Sequence, residues 1–178
     1  MTNISQPQIG EYAPTHAAYI NPLAEQNLDP IQTLKTDGNE LIQIYQALKN
    51  DQQLQFAYAQ NKWTLKQLLI HLIDAERIFN YRMLRMARKD TTPLSGFDEN
   101  QYINQNNFDH LTLQNILDEF VAVRQSTLAM IANLTPDCLQ NTTNVNQNRV
   151  SLRAMIFIAS GHQRHHLQII KQRYLIHL

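Results

Sequence analysis

Ser160-Gly161-His162-Gln163-Arg164-His165-His166 places three of the chain's seven histidines within five residues. His162 and His166 are four positions apart. On an α-helix they project from one face, one turn apart, with Cβ atoms roughly 5–6 Å from each other. Two imidazoles so placed reach one metal ion if three conditions hold. The segment must be helical, its histidine face must point inward, and another element must supply a further ligand.

The flanking sequence satisfies the first two conditions on pattern. Ser151 is a good N-cap, and Leu152, Met155, Ile156, Ala159, His162, His166, Ile169, Ile170 and Tyr174 recur at helical spacing on one apolar face. Three more helices are predicted upstream. Asp29-Pro30 is a start signal, an N-cap acid followed by proline in the first turn. Ile31, Leu34, Leu41, Ile44, Tyr45 and Leu48 follow it, with Gly38 a weak interior point, and the segment ends near Asn50-Asp51. Thr64 is the N-cap of a second helix carrying Leu65, Leu68, Leu69, Leu72, Ala75, Phe79, Met83 and Met86 to about Arg88. A third spans about Thr112 to Asn133 through Leu113, Ile116, Leu117, Phe120, Arg124, Leu128 and Ile131. Residues 89–111 and 134–150 are long connections. The first holds Pro93, Gly96, Asp98 and Glu99, and a connection of that length in a compact domain is often functional. Four long amphipathic helices with two long connections predict an all-α four-helix bundle over residues 29–178. Residues 1–28, polar and interrupted by Pro7, Pro14 and Pro22, are expected to form an irregular N-terminal arm.

Composition narrows the function classes. Among 178 residues, 15 Lys and Arg balance 15 Asp and Glu. The chain therefore lacks the basic excess that duplex DNA or acidic membranes select, and no nucleic-acid or membrane partner is expected. No run approaches the roughly 20 apolar residues of a membrane span. The N-terminus lacks a charged region followed by an apolar core, so no signal peptide is expected. A single cysteine, Cys138, excludes an internal disulfide and fits a cytoplasmic location. Only four glycines occur, which favours helices over a many-turned β fold.

The third condition points to His71, the histidine on the inner edge of the second helix. A lone histidine on an apolar face is ordinarily a core residue with one hydrogen bond. Two at helical spacing are costly to bury unpaired, and a metal removes that cost. Three protein ligands with an open position is the pattern of a catalytic metal; the alternative is a non-enzymatic bundle in which the histidines bind metal structurally or hold a core network. His165, on the flank, has three roles open to it: replacing His166, supporting a ligand, or facing solvent. His16, His110 and His177 are expected to be incidental. Gln163 breaks the H-E-x-x-H pattern and removes that motif's general base. Asp74, Glu76, Asp98 and Glu99 are other carboxylate candidates, each expected to be an ordinary solvated charge. There is no G-x-S-x-G, Gly-rich phosphate loop or dinucleotide fingerprint.

Three motifs together carry a family resemblance. Lys62-Trp63-Thr64 leading into His71-Leu72-Ile73-Asp74-Ala75-Glu76-Arg77 resembles the first metal-histidine helix of the DinB-like (YfiT-like) superfamily. Thr92-Pro93-Leu94-Ser95-Gly96-Phe97-Asp98-Glu99 resembles a loop of one branch, and Gly161-His162 through His165-His166 that branch's closing G-H-x-x-H-H motif. The likeness runs from about residue 30 to the end. It implies an up-down-down-up four-helix bundle, often a homodimer, with nickel or zinc held by His71, His162 and His166. It also implies a small-molecule substrate. Relatives include bacillithiol- and mycothiol-dependent transferases and isomerases, in which the metal activates a low-molecular-weight thiol, and proteins described as metal-dependent hydrolases. At Gln163 the chain departs from the acid that many members of the branch carry.

Overall fold

In a computed structural model, residues 4–178 are described. Helices α1 (Ala17–Glu25), α2 (Pro30–Gln46), α3 (Asp51–Leu54), α4 (Leu65–Ala87), α5 (Glu99–Asn104), α6 (Leu113–Ala132) and α7 (Leu152–Ile169) dominate, with one hairpin, β1 (Thr142–Val145) and β2 (Asn148–Ser151). The long helices begin where local chemistry tells them to. Asp29 accepts from the Gln32 amide, Ser151 accepts from the Ala154 amide, and Thr64 and Thr112 each form reciprocal capping boxes with Gln67 and Asn115. After α7 the chain widens into a π-helical turn, Ile170–Tyr174.

Side-chain pairs between helices define the directions. Gln163 donates to the Leu34 carbonyl at 3.3 Å, Arg164 pairs with Asp37 at 3.1 Å, and Lys171 pairs with Glu40. Residue numbers rise together, so α2 and α7 are parallel. Arg77 pairs with Glu119, and Asn80 donates to Ser126 at 3.5 Å, so α4 and α6 are also parallel. Tyr174 donates to the Trp63 carbonyl at 2.7 Å, and Asn141, just before the hairpin, donates to that of Met86 at 3.0 Å, so α4 and α7 run in opposite directions. The bundle is therefore up-down-down-up, as the resemblance implied.

This topology explains the first long connection. Because α4 and α6 are parallel, the chain must travel back the length of α4, about 35 Å for 23 residues, before α6 can start. The crossover is built rather than loose. It contains α5, capped by Asp98, and it is pinned to β1: the Leu94 amide donates to the Asn144 carbonyl and the Asn146 amide to the Leu94 carbonyl, both at 2.8 Å.

One expectation needs correction, and one connection gains detail. The N-terminal segment is not irregular throughout: α1 lies along α7 and buries Ile20 and Leu23 in the core shared with α4 and α7. Glu11 extends the contact, pairing with Arg153 and accepting from Ser151 at 2.7 Å. The connection before α7 holds the β1–β2 hairpin, whose register pairs Val145 with Asn148 across Asn146-Gln147.

The core is divided along the bundle axis. One apolar cluster takes Leu34, Ala75, Phe79, Met83, Met86, Ile131, Leu152 and Ala154–Ala159; the other takes Leu41, Tyr45, Leu65, Leu68, Leu69, Leu72, Ile73, Ile116, Leu117, Phe120, Leu167, Ile170 and Tyr174. Between them runs a layer of buried polar groups: Asp37, His71, Glu76, Arg124, His162 and Gln163. Buried polar groups need partners, and this layer divides by how it finds them.

Candidate metal centre

One half of the polar layer satisfies itself. Arg124 makes a two-pronged ion pair with Glu76, Nε to Oε1 at 2.8 Å and Nη2 to Oε2 at 2.7 Å. It also donates to the Leu34 carbonyl and to Oε1 of Gln163. Glu76 is therefore not the solvated charge expected from sequence; its partner is supplied by another helix. Gln163 is committed to Arg124 and Leu34, away from the neighbouring imidazoles.

The other half does not satisfy itself. His71 of α4 and His162 and His166 of α7 converge, with Nε2–Nε2 separations of 3.1 Å for His71–His162 and 3.2 Å for His166–His162. The three ligand atoms all lie within 4.8 Å of one another, and it is the cluster of this kind among the described residues. His71 and His162 are buried and His166 is half-buried. Aromatic rings brace them: Trp63 lies 4.6 Å from His71, and Tyr19 and Phe79 each lie 5.4 Å from His162 in edge-to-face contact.

Burial keeps these imidazoles neutral. His71 is pushed down to about 4 by burial. His166 is pushed down to about 3, chiefly by burial, with His71 and His165 adding. His162 is driven well below the ordinary value by burial, reinforced by His166, His71 and His165. A neutral imidazole has one N–H and one lone pair. With three Nε2 atoms facing one point, a proton on one of them serves one neighbour and leaves another lone pair without a donor. A divalent cation accepts all three. Tetrahedral coordination at 2.0–2.1 Å places ligand nitrogens about 3.3 Å apart, close to the spacings here, so the donor set fits a metal. Nδ1 of His166 is buried with no protein partner, so no protein group orients that ring from behind.

The trio opens onto a cavity of about 300 Å³ lined also by His16, Tyr19, Phe79, Arg82, Phe97, Glu99 and His165. A second cavity of about 200 Å³, lined by Tyr58, Lys62, Asn100 and Tyr174, shares Trp63 and His166 with the first. His165 is exposed and packs edge-on to Tyr19 and His166, flanking the site. His16, expected to be incidental, enters the cavity wall because α1 docks on α7. Its sequence signal was the Pro14 start followed by the apolar Tyr19, Ile20 and Leu23. Asp98 is spent on capping α5, while Glu99 faces the cavity. Asp74, His110, His177 and Cys138 line neither cavity.

A helical bundle of up-down-down-up topology with three converging imidazoles in its polar layer defines a class of metal-binding bundle proteins. The sequence pattern of the DinB superfamily matches residues 33–170, and the chain belongs to that superfamily. A protein of Oceanobacillus iheyensis, provisionally named a metal-dependent hydrolase, is 23% identical over 143 residues, covering 79% of this chain and 81% of its own. YfiT of Bacillus subtilis, described as a probable metal-dependent hydrolase with an unusual four-helix bundle topology, superimposes with a TM-score of 0.73 at 21% identity over 96% of this chain and 95% of its own. YjoA, a DinB-like protein of B. subtilis, gives 0.54 at 16% identity over 77% and 83%. These two likenesses are of fold. Among the described residues, no helix is long and apolar enough to cross a membrane.

Proposed function

We propose that this protein is a divalent-metal-dependent enzyme that binds nickel or zinc at His71, His162 and His166 and transfers a low-molecular-weight thiol to a small electrophilic substrate. The observation that carries the metal site is the convergence of three Nε2 atoms at 3.1 and 3.2 Å, where the one lone pair of His162 cannot give both neighbours a full hydrogen bond. A cation held there supplies a Lewis acid that lowers the pKa of a thiol or water reaching it. The chain's own residues do the rest. The rings of Trp63, Tyr19 and Phe79 hold His71 and His162 in place and give the cavity apolar walls. His16, held neutral by burial and by Arg82, offers a proton acceptor in the cavity wall. Two cavities meeting at Trp63 and His166 give separate room for two reactants, which supports transfer between two molecules.

Hydrolysis is the second reading, favoured by the descriptions of YfiT and the Oceanobacillus relative. Metal analysis of wild type and of His162→Ala tests the site: stoichiometric metal in the first and its loss in the second are expected, and wild type that holds no nickel or zinc after reloading ends both readings. A cobalt-substituted form then separates them. Thiol addition should change its visible spectrum; an unchanged spectrum, with turnover of an activated ester, would leave hydrolysis.

A further inference from the structure

Arg82 is the lysine or arginine in the wall of the larger cavity; the other polar wall groups are histidines, Tyr19 and Glu99. It lies eleven residues after His71 on α4, three turns along, so both side chains leave the same face about 16 Å apart along the axis. Side chains lean toward a helix's N-terminus, which turns Arg82 toward the histidines.

The guanidinium is only partly used by the protein. Nη2 donates to the Ser95 carbonyl at 2.9 Å, and the group lies 5.7 Å over the Phe97 ring. Those contacts fix its position and consume one of five N–H donors. No carboxylate lies within 4.0 Å of it among the described residues, although every other buried arginine there, Arg124 and Arg153, is ion-paired. A buried, unpaired charge is costly, and burial already pulls its pKa down. Holding the crossover would need only a neutral donor.

We infer that Arg82 is a substrate-binding residue, and that the molecule taken into this cavity carries a carboxylate, held by the Arg82 guanidinium while its other end reaches the three histidines. The planar fork matches a carboxylate two-pronged. One cation with Glu99 in the same wall suits a singly charged group better than a phosphate dianion. Trp63, Phe79 and Phe97 supply apolar surface for the body of the molecule. The inference rests on this cavity being the site of reaction.

Trp63 is the chain's single tryptophan and lines the cavity, so its fluorescence reports binding directly. Zinc-loaded protein and the same protein stripped by chelator are titrated with 3-phenylpropionate, with its neutral amide, and with inorganic phosphate as competitor. The acid should bind about tenfold or more tightly than the amide in both forms. Arg82→Met should bring that ratio to about one, and Arg82→Lys should keep part of it. The ratio is insensitive to a loosened crossover, which would weaken both probes together, as Leu94→Ala should; Leu94 pins the crossover to β1 and lies outside the cavity wall. A ratio near one in wild type, or one unchanged in Arg82→Met, overturns the assignment. A preference seen only with zinc present shows the carboxylate on the metal and overturns it too. Phosphate competing more strongly than the acid overturns the choice of carboxylate. If no metal is retained, the metal reading fails by metal analysis while the stripped-protein titration still decides this one.

Discussion

The backbone of Tyr19 rests directly on Gly161. A Cβ at position 161 would overlap the Tyr19 carbonyl, and no flexible side chain is there to yield. Gly161 is therefore the seat of α1, and through α1 it places the Tyr19 ring against His162 and brings His16 to the cavity. Gly161→Ala should displace α1 and cost about 2–3 kcal/mol of stability, in the range of overpacked cores. Urea unfolding measures the cost, and limited proteolysis should cut the first 28 residues sooner than in wild type. Equal midpoints and equal cutting would mean that α1 does not sit on this glycine.

Wherever a single local rule decides, the sequence was legible. Asp29, Thr64 and Ser151 cap helices because their side chains bond amides three residues on, a contact contained in the sequence itself. His162 and His166 share a face by spacing alone. What stayed hidden depends on distant partners. Glu76 resembles any surface acid until Arg124 arrives from another helix, and Gly38, a weak point for α2, makes room for that guanidinium. The hairpin turns at Asn146-Gln147, both with positive φ and neither a glycine, so the usual turn signal is missing. Helix α1 is short, contains Pro22 and is held by Gly161, a contact about 140 positions away in the chain.

The Glu76–Arg124 pair is buried on both sides, so removing one partner strands the other. Glu76→Gln leaves the Arg124 charge without its counter-ion and should destabilise by roughly 3–5 kcal/mol. Replacing both with leucine removes the stranded charge and should recover much of the loss. A double-mutant cycle in urea checks this. Single and double variants with additive costs would show that the pair is not coupled.

The resemblance implied an acid at position 163, and the contacts there suit Gln163 instead. Its amide oxygen accepts from Arg124 while its nitrogen donates to Leu34, a combination a carboxylate cannot make. Gln163→Glu should cost about 1–2 kcal/mol at neutral pH, because the new carboxylate faces the Leu34 carbonyl and crowds Glu76. Metal stoichiometry should match wild type, since this side chain points to Arg124 and not to the imidazoles. A fall in bound metal would give position 163 a part in the centre after all.

Protonation of the three converging histidines adds to the acid sensitivity of the chelator-stripped protein, in the same direction as His16 and His165, which burial also pushes down. In the folded state His71 titrates at about 4 and His166 at about 3, with His162 also well below the ordinary value, all chiefly through burial. In the unfolded chain they titrate near 6.5. Between about pH 6.5 and 4 the unfolded state binds protons that the folded state refuses, so stability falls as pH falls. It is fully present above 6.5, and each histidine contributes at most about 1.4 kcal/mol per pH unit through the window. The urea midpoint of stripped wild type should drop steeply from pH 7.5 to 5. His71→Leu, which removes one titrating imidazole, should show a shallower fall. A midpoint that holds steady across this range would mean that the histidines already take up protons when folded, and three charged rings cannot converge on one metal.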